Sequence, residues 1–197
     1  MSIENQPESF GFNTAWLTFR TENTEAVAAA LDLIDAIPTN WPSGIEAAYE
    51  SNQVFISPPV KGWTFAVGTP FYGAAEDSNR SMEPLKTLLR TLSSQFGEVQ
   101  GFATQRTVEY HHWLLARSGN IVRSSAYLGE TGEILDDEGV RTADEPAIHL
   151  EPDDEFDTPD EDTVMNIAGA WSLDPQNLDE EPVSSSLGVL GSCNLAR

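Results

Sequence analysis

The segment EYHHWLLARSGNIVRSSAYLGETGEILDDEG, residues 109–139, gathers the side chains best suited to chemistry: Glu109, His111, His112, Arg123, Ser124 and Ser125, then Asp136, Asp137 and Glu138. Glu109 and His111 stand two apart, the spacing at which a strand presents both on one face. A carboxylate so placed can orient an imidazole for general-base work. Arg123, or Arg106 from just upstream, would supply the cation of a small enzyme built on one sheet face. The same residues also read as the polar dressing of a hairpin, held by ordinary cross-strand hydrogen bonds.

Spacing weakens other chemistries. Successive strand residues point to opposite faces, so His111 and His112 do not converge on one metal or one substrate atom. His149 and Cys193 add no zinc-ligand spacing, so neither a metal nor a cofactor is expected. Ser124 and Ser125 lack the Gly-x-Ser-x-Gly elbow of a nucleophilic serine. Gly129 and Gly132 have no Walker lysine beside them. Counted from Asp153, an EF-hand needs glycine and then glutamate where Thr158 and Val164 stand. No residue is assigned a catalytic role.

Charge narrows the partners. The net charge is −22. Residues 1–128 carry 13 acidic and 8 basic side chains, a net of −5, whereas residues 129–197 carry 19 and 2, a net of −17. A chain adapted to high salt would spread its acid over the whole surface. Direct nucleic-acid binding is disfavoured, because phosphates must be neutralised and not repelled. The expected partner is a protein, a basic toxin or effector domain, met by Asp136, Asp137, Glu138, Asp153, Asp154, Glu155 and Asp157. The run EPDDEFDTPDED, residues 151–162, reads equally as a solubilising linker. A DNA mimic would need carboxylates at phosphate-like spacing on a rigid surface, and a proline-containing acidic loop is a poor one.

The elements that must position these residues follow from periodicity. NTAWLTFRT alternates as a strand, and NTEAVAAALDLIDAI reads as a helix ending near Ala36 before Pro38, with Val27, Ala30, Leu31 and Ile34 on one face. A short helix over NWPSGIEAAYE and strands over QVFIS and VKGWTFAVG come next. Leu85, Leu88, Leu89, Leu92 and Phe96 mark the clearest helix, opened by Ser81 and closed by Gly97. Up to four short strands follow, with turns at RSGN and GETGE. Val164, Ile167, Ala168 and Trp171 share the face of a last helix, with Asp160 to Asp162 at its positive end. The fold class is α+β: an antiparallel sheet with helices mainly on one face, its start compatible with a ferredoxin-like order. Residues 1–150 form one domain; residues 151–197 supply an acidic linker, a docking helix near 160–171 and a tail expected to be flexible.

No stretch reaches the ~18 apolar residues of a membrane span. The opening MSIENQPESF is acidic and polar, unlike a secretory signal. A single cysteine, Cys193, permits no internal disulfide, and LGSC lacks the preceding apolar segment of a lipoprotein box. A cytoplasmic setting is expected.

The stretches NTEAVAAALDL, ISPPVKGWTFAVG, FGEVQGFATQRTVEYHHWLLARSG and AYLGETGE together resemble an uncharacterised bacterial family of proteins of about this length, over residues 13–172. More loosely, the chain is similar to the immunity proteins of polymorphic toxin systems, both contact-dependent and type VI: small, acidic, cytoplasmic and α+β. That resemblance implies a non-catalytic protein that binds and neutralises a cognate toxin. It carries over no site residues.

Overall fold

Ala15, Leu17 and Phe19 turn to one side of the first strand and Trp16 to the other, and all four are fully buried. A strand buried on both faces needs cover on both, and that requirement organises the molecule. The structure, a computed structural model, describes residues 6–75, 81–145, 159–181 and 186–193.

The strands are β1 (Ala15–Phe19), β2 (Ile34–Thr39), β3 (Gln53–Ile56), β4 (Thr64–Val67), β5 (Glu98–Gln105), β6 (Tyr110–Arg117), β7 (Asn120–Leu128), β8 (Glu133–Gly139) and β9 (Gly188–Ser192). The α-helices are α1 (Thr24–Ala30), α2 (Trp41–Glu50), α3 (Glu83–Phe96) and α4 (Glu161–Trp171). One sheet of nine strands runs β2-β9-β3-β4-β1-β5-β6-β7-β8 with every named pair antiparallel. This is an α+β fold.

Its centre has the ferredoxin-like order. With β2 and α2 inserted between α1 and β3, the succession β1-α1-β3-β4-α3-β5 lies in space as β3-β4-β1-β5, the arrangement of a split βαβ motif. Helices α1 and α3 cover the face that carries Leu17, Val54, Ile56, Ala66 and Val99. Each of Leu85, Leu89 and Leu92 on α3 is buried there, which stabilises by roughly 1.5–3 kcal/mol per side chain. The helices do not gather mainly on one face, as periodicity had suggested. Helices α2 and α4 cover the opposite face over Trp16, Phe55, Phe65, Phe102 and Trp113. Bulky residues at alternate strand positions leave that face as apolar as the first, so it too is removed from water.

Two further segments depart from expectation. The apolar stripe of the first helix stops at Leu31; Asp32 and Asp35 take φ of 49° and 54°, and residues 34–39 become β2. Ile34, expected on the helix face, is 52% exposed on an edge strand. Pairing with β9 gives this backbone partners that a longer helix would have given locally. The tail also forms structure: β9 lies between β2 and β3 and pairs with both. Gly188 fits there because an added Cβ would come within 2.5 Å of the Ile56 carbonyl oxygen and of the Phe55 ring. Cys193, just beyond, is buried and donates to the Leu31 carbonyl at 3.3 Å, and burial raises its thiol to about 11.

Helix α4 docks as its periodicity predicts. Val164, Ile167 and Ala168 are fully buried, and Asp160 caps it in a reciprocal box with Thr163. Among the described residues no helix is long and apolar enough to cross a membrane.

Candidate functional site

The turn between β5 and β6 carries Arg106 and Glu109, and β6 continues with His111. Glu109 adopts φ of 52°, and its carbonyl accepts from the Gly129 amide at 2.8 Å, joining this turn to the one after β7. Gly129 must be glycine-sized, since an added Cβ would lie 2.5–2.6 Å from the Glu109 side chain. The first turn of α4 packs over the same end of the sheet. Between them is a depression of about 360 Å³ lined by Phe12, Arg106, Glu109, His111 and residues 159–162.

Its groups are unequally committed. Glu161 accepts from the Asn13 amide and the Thr104 hydroxyl, both at 3.2 Å, and from Arg106 Nε. Arg106 also stacks over Phe12, 4.9 Å from the ring centroid. Asp160 accepts from the Thr163 amide at 2.8 Å. Burial raises its carboxyl, but the Thr163 amide and hydroxyl outweigh this and leave it lowered. His111 is 3% exposed, and its Nδ1 has no hydrogen-bond partner. Burial lowers its pKa to about 4, against an upward push from Glu161 and Asp160, so the ring is neutral near pH 7. The structure thus brings Arg106, Glu109 and His111 to one depression.

His112 points the other way, as alternation requires. It is fully buried beside Tyr110, with Tyr110 Oη and His112 Nδ1 2.9 Å apart, and burial followed by the charge of His111 lowers it to about 3. Among the described residues, no three His, Cys, Asp or Glu side chains are placed to hold a metal ion.

Arg123 does not join His111. In the β6–β7 register it faces Leu115, whereas His111 faces Tyr127, so the two sit four residues apart along the sheet. Arg123 is fully buried and donates to Glu145, to Asp137 Oδ1 at 2.6 Å and to the Ser124 and Glu138 carbonyls. Glu145 also accepts from Trp113 Nε1 at 2.9 Å and the Thr142 amide at 2.9 Å. On the opposite face of β8, Lys86 of α3 pairs with Asp136 at 3.1 Å and Glu138 at 2.6 Å, and Ser124 donates to Asp136. Burial lowers the Lys86 pKa, but Glu138 and Asp136 outweigh it and leave it raised.

The three acids singled out on β8 therefore have internal partners while remaining partly exposed: Asp136, Asp137 and Glu138 keep 18%, 43% and 46% of their side chains in water. Asp153, Asp154, Glu155 and Asp157 lie outside the described residues. The roles of Lys86, Glu145, Glu161 and Phe12 were not foreseen. Lys86 had a readable signal, since it borders the apolar stripe, one position after Leu85 and three before Leu89. Glu145 and Glu161 had none, because their partners are 22 and 55 residues away.

No family model, curated protein or solved structure matches the chain.

Proposed function

We propose that the chain is a non-catalytic bacterial immunity protein that binds a basic toxin or effector domain and blocks it. One observation carries this reading: the acid of the last third is not balanced by the fold. Lys61, Lys86, Arg106 and Arg123, all from residues 1–128, reach carboxylates of residues 129–197. Those cations face 19 acidic side chains, and residues 129–197 add only 2 basic ones of their own. A large negative excess is left for a cationic surface. Such a field speeds association and rejects anionic partners. The loose likeness to immunity proteins in size, charge and style supports the same reading.

A small enzyme using Glu109, His111 and Arg106 is the second reading, favoured by the depression they share. It is weaker, because Arg106 is already held by Glu161 and Arg123 lies elsewhere.

The deciding experiment is capture of the toxin domain encoded beside this gene, with the purified chain as bait. A complex is expected at low salt, weakened at 1 M salt, where the screening length falls to about 3 Å. Absence of a complex at low salt overturns the proposal.

A further inference from the structure

We infer that the depression between the β5–β6 turn and the first turn of α4 is a receptor for a guanidinium group, the side chain of an arginine presented by the basic partner. The inference rests on the binding function proposed above and names the contact that would deliver it. Two carboxylates lining the depression, those of Glu109 and Asp162, are exposed and have no hydrogen-bond or ion-pair partner among the described residues. They stand beside a third, independent group: the His111 imidazole, 97% buried, with Nδ1 unpartnered.

An unpartnered ring nitrogen removed from water is costly, and a ligand that fills it recovers that cost. In the tautomer that carries its proton on Nε2, the neutral ring leaves a lone pair on Nδ1, and the partner that nitrogen takes is a donor. The neighbouring carboxylates accept only. One ligand group that suits all three is a planar cation carrying several N–H donors, which describes guanidinium better than ammonium. The first turn of α4 does not turn the depression into an anion site: the Asp160 carboxylate already takes the Thr163 amide, and Glu161, committed to Arg106, and Asp162 add further negative charge there.

The test uses the full chain labelled at histidine carbons, titrated with a tetra-arginine peptide and, separately, with tetra-lysine. The His111 ring signals are expected to move saturably, with tetra-arginine binding about tenfold tighter than tetra-lysine. The exposed double variant Glu109→Gln/Asp162→Asn is expected to lose about tenfold or more in affinity, as for hydrogen bonds to charged groups. The control Glu22→Gln/Glu46→Gln, which removes the same charge elsewhere, should change it less than about twofold. His111→Ala, read only after its fold is verified, should abolish the preference for arginine. An unmoved His111, or equal losses in the double variant and the control, overturns the inference. If toxin capture succeeds equally with the double variant, the site is wrong and the immunity reading stands. If arginine binds here yet no toxin is captured, the site stands and the immunity reading falls.

Discussion

Arg123 Nε donates to both carboxylate oxygens of Glu145, at 3.0 and 2.8 Å, and both side chains are withdrawn from water. The pair fastens the chain beyond β8 onto the α2–α4 face of the sheet, and Trp113 joins it through its indole N–H. Buried pairs add little over a well-packed apolar substitute, but breaking one strands a charge.

Glu145→Ala is accordingly expected to cost about 3–5 kcal/mol, because it leaves the Arg123 guanidinium short of its best acceptor. Asp137→Ala, which removes a partner that is 43% exposed, should cost ~1 kcal/mol or less. Urea unfolding followed by tryptophan fluorescence separates them. Equal losses would show that the contact does not anchor this segment.

Lys86 offers the corresponding test on the other face. It is nearly buried between Asp136 and Glu138, and its folded-state pKa is raised. Its contribution to stability is therefore complete below the unfolded value near 10.5 and lost as pH climbs through the raised one. Wild type should lose stability between about pH 10 and 12 more steeply than Lys86→Met. Matching slopes would remove Lys86 from the alkaline behaviour.

The two histidines govern the acid side. The fold holds His111 and His112 neutral, with pKa values lowered to about 4 and about 3, while the unfolded chain protonates near 6.5. Unfolded molecules bind the extra protons, so stability rises with pH here and falls as pH drops below about 6.5. The slope approaches ~1.4 kcal/mol per pH unit for each histidine. Measured from pH 7 to 5, mostly above the carboxylate range, the slope should roughly halve in His112→Gln. A flat wild-type profile over that interval would contradict the burial of both rings.

The position of β9 predicts the effect of truncation. Ending the chain at Glu181 removes the strand that joins β2 to β3 and uncovers an edge of β3. The shortened protein should unfold at lower urea and bind a hydrophobic dye more strongly, since bare edges and uncovered apolar faces associate. Unchanged stability would mean that the tail adds nothing to the sheet.

Gly44 faces Phe55 so closely that an added Cβ would lie 2.2 Å from the ring. Gly44→Ala should therefore cost about 1–3 kcal/mol by overpacking, despite the better helix propensity of alanine. A more stable Gly44→Ala protein in thermal melts would show that α2 is free to shift.

Local rules wrote much of this molecule. The leucine stripe on α3, the Asp160 cap and apolar face of α4, and the alternation of side chains in β1 and at the start of β6 each depend on residues within a turn or two. The opposed orientation of His111 and His112 follows from the same alternation. The lopsided charge needs only composition. What tertiary structure decided was everything joining distant residues: the conversion of residues 34–36 from helix to strand, the seat of β9 between β2 and β3, and the division of helices between two faces. It also sent Arg123 to Glu145 and Asp137, and Arg106 to Glu161, leaving Glu109 with His111. Backbone pairing and ion pairing are satisfied by whichever partners packing brings near, and no periodicity along the chain specifies which partners those are.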